Sequence, residues 1–196
     1  FPEKVVEVSN ILSNAKKPVL VVGGQIHIST KSRKLVSKVA EIHNLPVLCT
    51  YEHQDIVSHN HPHYAGELGL RPPEPIRKNA LEADVVLVVG HRFNGVPNMA
   101  YKFPSSKQTF IHVIPDPNTI GKIFRTDMGI VADSKNFLKQ LSTIEKKKTN
   151  KERDEWVKLC HHRYLNNNAT QPPRNANDGL DFAHLIDALG ELAPEN

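Results

Sequence analysis

The sequence predicts an α/β fold, in which a doubly wound, mostly parallel sheet is flanked by helices. Short runs that are apolar at every position recur along the chain, and stretches with apolar residues at helical spacing separate them. Strands buried on both faces have such runs, and parallel sheets supply them because helices cover both faces of the sheet. The alternation of the two element types therefore favours a parallel sheet between helical layers.

The predicted elements follow one another in a regular order. An amphipathic helix over residues 2–15 comes first and stops at Lys16-Lys17-Pro18, because proline cannot continue a helix. Apolar stripes at helical spacing predict three further helices, near residues 35–43, 76–83 and 137–144. Apolar runs predict five strands, at residues 18–24, 46–50, 84–90, 109–114 and 130–132.

The texture of the chain changes after the last of these elements. We expect an α/β domain over residues 1–145, and over 146–179 a polar linker with one short helix around Trp156. Residues 180–196 then form an apolar helix face that nothing later in the chain covers. This last helix is expected to belong to a further domain, so that the chain is cut out of a larger protein.

The composition argues against nucleic acid and membrane partners. The net charge is +4, but much of the excess lies in a run around Lys146-Lys147-Lys148, and aromatic residues make up only 6% of the chain. No apolar run approaches the roughly 20 residues that span a bilayer, and the N-terminus lacks the order of a secretory signal. With Cys49 and Cys160 as the only cysteines, a reducing, cytoplasmic location is expected.

Candidate ligand-binding residues follow the strands. Gly23-Gly24 ends the first strand, where a bare backbone lets a phosphate approach, but the G-x-G-x-x-G fingerprint is incomplete and a tight turn fits as well. Arg92 follows the third predicted strand, at the edge where open α/β sheets bind ligands, and could hold a phosphate or carboxylate or form a surface ion pair. Asp116 and Asp133 fit capping positions at the start of a turn and of a helix.

Four histidines, His53, His59, His61 and His63, crowd the connection after the second strand. Spacing at i, i+2 and i+4 would align three imidazoles on one face of a strand, but Pro62 interrupts the strand and no cysteine pair is near. We therefore expect no metal here. The alternative hypothesis is that His53, His59 and His63 tune a cleft at the carboxyl edge or a contact with a neighbouring domain.

Six motifs occur in an order that resembles a known family. They are AKKPVLVVGG (15–24), LPV (45–47), HPHYAGELG (61–69), ALEADVVLVVGHRF (80–93), IHVIPDP (111–117) and IVAD (130–133). Together they resemble the Rossmann-like central domain of thiamine diphosphate-dependent enzymes of the acetolactate synthase type, over about residues 3–144. The resemblance accounts for the last helix as the first one of the family's C-terminal, cofactor-binding domain.

The resemblance implies an enzyme that decarboxylates a 2-oxo acid and passes the product to an acceptor. The family's N-terminal and C-terminal domains hold thiamine diphosphate and Mg²⁺ and supply the catalytic residues, so this chain alone is expected to bind neither and to be inactive. The resemblance also implies a homodimer or homotetramer. It further places most of the substrate pocket in the two other domains.

The family's central domain binds FAD, ADP or parts of coenzyme A in some members and nothing in others. The resemblance carries a binding role over to Gly23, Gly24, Gln25, Leu70, Arg71, Arg92 and Asp133. Two departures count against a flavin: Arg71-Pro72 stands where the synthases have His-Gly, and Asn94-Gly95-Val96 stands where they have Asp-Asp-Arg. In addition, Ile114 stands where nucleotide-binding relatives carry an acidic residue for a ribose hydroxyl.

Two alternative functions remain open. One is another branch of the same superfamily, a 2-oxo acid decarboxylase or an acyl-coenzyme A lyase. The other is a free-standing nucleotide-binding module, against which the apolar helix after the linker with Pro172-Pro173 argues.

Overall fold

The computed structural model describes residues 2–26, 30–145, 151–168, 179 and 181–193. The strands are β1 (Pro18–Val22), β2 (Val47–Thr50), β3 (Tyr64–Leu68), β4 (Val85–Val89), β5 (Thr109–Ile114) and β6 (Met128–Val131). The helices are α1 (Pro2–Asn14), α2 (Thr30–His43), α3 (Glu74–Leu81), α4 (Ser134–Leu141), α5 (Lys151–Asn168) and α6 (Phe182–Leu192). Short 3₁₀ turns follow three of the strands, at Gly24–Ile26, Gln54–Ile56 and Pro117–Thr119.

All the strands of the described residues form one parallel sheet. Its order is β3-β2-β1-β4-β5-β6, and every neighbouring pair is parallel. The chain therefore winds outward from β1 in one direction and from β4 in the other. This is the doubly wound α/β fold that the sequence predicts. In such folds the ligand crevice lies at the carboxyl ends of the strands where the winding reverses, which here are β1 and β4.

The sheet is buried because helices cover it. Every residue of β1, β2 and β4 is buried. Helices α1, α2 and α4 contact one another, whereas α3 contacts α5 and both contact β3. The two groups of helices supply the layers that the uninterrupted apolar strands require.

Strand β3 was not among the five strands that the apolar runs predict. Gly66 and Glu67 break its apolar pattern, and its pairing with β2 shifts register between Val47 and Cys49. Gly66 has φ +108°, and a Cβ there would lie 2.7 Å from Ile76 Cδ1 of α3. A glycine is therefore required where the helix packs closely on this strand.

Helix α5 is longer than the short helix that was expected around Trp156. It has 18 residues, and it packs against β3 and α3. Its buried residues include Trp156, whose Nε1 donates to the carbonyl of Pro18 at 2.9 Å, together with Cys160 and Tyr164. Much of the segment that was expected to be a linker is thus packed on the sheet.

Arg153 joins α5 to the C-terminal ends of two other helices. Its guanidinium donates to the carbonyls of Leu12 and, at 2.6 Å, Ala15, and to those of His43 and Asn44 at 3.2 and 3.4 Å. These carbonyls close α1 and α2, whose last turns have no helical partners for them and carry the negative end of the helix dipole. The positive charge of the buried Arg153 is therefore stabilised by the negative ends of both helix dipoles.

Asp181 caps the N-terminus of helix α6, and its side chain accepts from the backbone N–H of Ala183 at 3.0 Å. None of its residues is buried, and its large apolar residues are exposed: Phe182, Leu185, Ile186, Leu189 and Leu192. No helix in the described ranges is long and apolar enough to cross a membrane.

Candidate functional site at the carboxyl edge

The glycine pair after β1 lies at the switch point and is tied to the end of β4. Gly23 N–H donates to the carbonyl of Val89 at 3.1 Å, and Gln25 N–H donates to that of Gly90 at 3.0 Å. A Cβ at Gly23 would lie 2.5 Å from the Cβ of His91. The close approach of two backbones is thus one reason for glycine at position 23.

At Gly24, an imidazole packs closely against the glycine backbone. A Cβ on Gly24 would lie 2.0 Å from Nε2 of His53, and two further ring atoms lie within 2.9 Å of that position. The ring is held from its other nitrogen, since His53 Nδ1 contacts the carbonyl oxygen of Tyr51 at 2.6 Å. His53 belongs to the connection after β2, so the turn after β1 is packed against a residue of a different loop.

Replacing Gly24 with alanine is expected to lower the free energy of unfolding by about 1 to 2 kcal/mol, because the new methyl group must displace the His53 ring. In a His53→Ala background the same substitution should have little effect. Urea unfolding of the four proteins gives the coupling energy. If the changes in free energy of unfolding caused by the two substitutions are additive, the His53 ring does not contact Gly24.

Two more histidines line this edge, and their surroundings keep them neutral. His112 Nε2 donates to the carbonyl of His91 at 2.8 Å, while His91 Nδ1 accepts from the backbone N–H of Phe93 at 2.8 Å. Burial, with the nearby His53, His112 and Arg92, lowers the pKa of His91 to about 4. Burial also lowers the pKa of His112. The crevice is therefore polar but carries no charge from these rings at neutral pH.

Positive charge lies farther along the edge, in a cleft of about 380 Å³ between the loops that follow β4 and β5. Its lining includes Arg92, Asn94, Asp116, Asn118, Thr119 and Lys122. The Asp116 carboxylate accepts from Asn118 N–H and from Thr119 Oγ1, both at 3.0 Å, as the capping interpretation predicts. These bonds, and to a smaller extent Arg92, lower the pKa of Asp116. Lys122 is a cleft residue that the sequence pattern does not single out, because the only signal for it is its position in the loop after a strand.

Leu70 and Arg71 lie in a different place. They line a second cleft, of about 390 Å³, which the loop after β3 forms with the end of α5. His59 and Tyr164 also line it, and the His59 ring stacks on Tyr64 with 4.8 Å between centroids. The structure thus separates Arg71 from Arg92, because β3 and β4 are not neighbours in the sheet.

Asp133 follows β6, at the far side of the same edge. Its carboxylate accepts from Asn136 N–H at 2.8 Å and caps α4, which is the structural role that its position predicts. It also lines a shallow groove of about 460 Å³ with Asn136 and Lys139. The candidate residues therefore fall into four groups: those after β1, those after β3, Arg92 after β4, and Asp133 after β6.

The histidine-rich connection crosses from one edge of the sheet to the other. Because β2 and β3 are parallel, a chain that leaves the carboxyl end of β2 must reach the amino end of β3. His61 Nε2 accordingly contacts Glu41 Oε1 at 3.2 Å, and His63 Nε2 contacts Asn44 Oδ1 at 3.3 Å, both near the end of α2. Of the four histidines, His53 lies against the turn after β1 and His59 lines the second cleft. In the part of the chain that the structure describes, no group of three or more metal-binding side chains could hold an ion.

Comparison with known proteins assigns the chain to a family. The family model "Thiamine pyrophosphate enzyme, central domain" matches residues 5–141. The chain is 30% identical over 140 residues to a "Probable acetolactate synthase large subunit" of Methanococcus aeolicus, which covers 71% of this chain and 23% of the relative. It is also 30% identical over 166 residues to glyoxylate carboligase of Escherichia coli O157:H7, covering 82% and 27%. Sulfoacetaldehyde acetyltransferase of Roseovarius nubinhibens is 31% identical over 142 residues, covering 71% and 23%. The chain thus spans about a quarter of the length of the relatives that it matches.

Proposed function

We propose a function for the whole protein from the family of this chain. The chain belongs to the thiamine pyrophosphate enzymes, as their central domain. The whole protein is proposed to decarboxylate a 2-oxo acid and to join the product to an acceptor. The observation that carries this proposal is the family match over residues 5–141, which coincides with the doubly wound sheet. The names of two relatives, an acetolactate synthase and a carboligase, favour the carboligation step.

The proposed division of the chain follows the sequence analysis. Residues 1–145 form the central domain, 146–179 the linker, and 180–196 the first helix of the C-terminal domain. The exposed apolar face of α6 supports the last assignment, because such a face needs a partner to bury it. Within the proposed linker, α5 packs against β3. The chain's immediate partners are then the protein's own N- and C-terminal domains, in a homodimer or homotetramer in the cytoplasm.

Thiamine diphosphate and Mg²⁺ are proposed to bind in those two other domains. The cofactor supplies an electron sink for the carbanion that forms when a 2-oxo acid loses CO₂. In the described ranges this chain offers no cluster of metal-binding side chains, so its proposed contribution is to position the two catalytic domains. The chain alone is then expected to be inactive.

We further propose that the cleft at Arg92 binds the diphosphate part of an adenine nucleotide such as ADP. Arg92 and Lys122 offer two cations, and Asn94 and Asn118 offer amides that can donate to phosphate oxygens. The Asp116 carboxylate lines the same cleft, and its remaining lone pairs can accept a hydrogen bond from a ribose hydroxyl. Ile114, which stands where nucleotide-binding relatives carry an acidic residue, is fully buried and its aliphatic side chain cannot bind a ribose hydroxyl.

Titration calorimetry with ADP tests this cleft. Arg92→Ala should weaken ADP binding about tenfold or more, since one charge-assisted pair to phosphate is lost. Arg125→Ala is the matched control, because Arg125 is exposed in the following loop and is not part of the cleft lining. Equal affinities for the two variants, or no binding of ADP by the unchanged chain, would remove the nucleotide from the proposal.

An acyl-coenzyme A lyase of the same family is the second candidate function. Coenzyme A contains an adenosine diphosphate moiety, so the cleft at Arg92 and Lys122 suits it as well. Competition between coenzyme A and ADP for the cleft, together with thiamine diphosphate-dependent cleavage of an acyl-coenzyme A by the whole protein, would favour the lyase over the carboligase.

A further inference from the structure

We propose that His53 is a specificity-determining residue, whose imidazole closes the crevice over Gly24 and excludes dinucleotides such as FAD while leaving the Arg92 cleft open to a mononucleotide. The inference rests on the proposed nucleotide cleft and adds the size of the ligand that it accepts. In doubly wound folds, a dinucleotide lies across the switch point with its pyrophosphate at the turn after the first strand. That turn is here Gly23-Gly24.

The first argument is steric. Three atoms of the His53 ring lie between 2.0 and 2.9 Å from the position of a Cβ on Gly24. A phosphate oxygen that contacted the backbone of Gly24 from this side would have to occupy the same space. The ring and the pyrophosphate therefore exclude each other.

The second argument is that the ring is anchored. His53 Nδ1 contacts the carbonyl of Tyr51 at 2.6 Å, and its backbone N–H donates to Thr50 at 3.0 Å, at the end of β2. Three residues later, Ile56 is 1% exposed and its N–H donates back to the carbonyl of His53 at 3.3 Å. A ligand that moved the ring outward would break the short hydrogen bond between His53 and Tyr51, and it would strain the turn that ends at the buried Ile56.

The third argument is electrostatic. His91 and His112 beside the crevice remain neutral at pH 7. At the glycine pair, a negatively charged pyrophosphate therefore finds backbone N–H groups but no positive charge from these two rings. Arg92 and Lys122 attract the phosphates to the cleft on the β5 side instead. A compact diphosphate can stay in that cleft, whereas FAD must extend from it over Gly24.

Calorimetric titration of FAD and ADP into the unchanged chain and into His53→Ala tests the inference. His53→Ala should bind FAD about tenfold more tightly or better than the unchanged chain, and the affinity for ADP should stay within about threefold. His53→Ser is a second variant that opens the same space, and Gln54→Ala, at the exposed neighbouring position, is the matched control. Thermal unfolding of each variant verifies that it folds.

The outcomes separate the two proposals. If His53→Ala and His53→Ser bind FAD no better than the unchanged chain does, the inference about His53 is wrong whatever ADP does. If ADP fails to bind to any of the proteins but FAD binding appears on removal of the ring, the cleft at Arg92 is wrong and the role of His53 stands. Strong binding of FAD to the unchanged chain would also overturn the inference.

Discussion

Arg153→Ala is expected to lower the free energy of unfolding by about 3 kcal/mol. The guanidinium is buried and donates to four backbone carbonyls at the ends of α1 and α2. Burial lowers the pKa of Arg153 to about 10, so the side chain is still charged at neutral pH. Truncation leaves those carbonyls without a donor and leaves a cavity beside α5.

Urea unfolding followed by circular dichroism measures this effect. Lys158→Ala is the matched control, since Lys158 is an exposed cation on the same helix, and its substitution should change stability by less than about 0.5 kcal/mol. Arg153→Lys should fall between the two, because an ammonium cannot reach two helix ends at once. If Arg153→Ala lowered the free energy of unfolding by less than about 1 kcal/mol, the hydrogen bonds of Arg153 would not be what stabilises the packing of α5 on α1 and α2.

Acid is expected to destabilise the fold through His91. The folded pKa is about 4 and the ordinary value is 6.5, so between these values the unfolded chain binds a proton that the folded chain does not. The stability associated with the neutral ring is thus complete above pH 6.5 and falls as the pH drops toward 4, with a slope of about 1.4 kcal/mol per pH unit and a total of about 3 kcal/mol. His112, whose pKa is also lowered, acts in the same direction.

His91→Asn isolates this contribution. The asparagine Oδ1 can accept from Phe93 N–H as His91 Nδ1 does, but it does not titrate. The stability of the variant, measured by urea unfolding at several pH values, should fall about 1.4 kcal/mol per pH unit less steeply between pH 6.5 and 4. His162→Asn, at an exposed position on α5, should retain the full slope. Parallel profiles for His91→Asn and the unchanged chain would contradict a neutral His91 in the folded state.

Elements with a periodic or uniform apolar pattern were predictable from the sequence. β1 and β4 are apolar at every position and are flanked by turn residues, so local pattern is sufficient to identify them. β3 was missed because Gly66 and Glu67 interrupt it for reasons that lie in its packing on α3. The length of α5 was missed because its buried face includes Arg153, a residue that pattern analysis assigns to the surface.

The candidate site was predictable in position but not in detail. Gly23 and Arg92 follow strands, and the topology brings both to the carboxyl edge, as expected. Contact between His53 and Gly24 depends on how two loops fold over that edge, which no local pattern specifies. Of the three histidines that were expected to tune a cleft or a domain contact, His63 lies near the opposite edge, because β2 and β3 are parallel, whereas His59 lines the second cleft.

We propose that this chain is the middle domain of an enzyme whose thiamine diphosphate is held by the domains on either side. Calorimetric titration of thiamine diphosphate with Mg²⁺, combined with measurement of CO₂ release from pyruvate or another 2-oxo acid, tests it on the whole protein and on the 196-residue chain alone. The whole protein should bind the cofactor and release CO₂, and the chain alone should do neither. Cofactor binding or turnover by the chain alone, or the absence of both from the whole protein, would contradict the assignment.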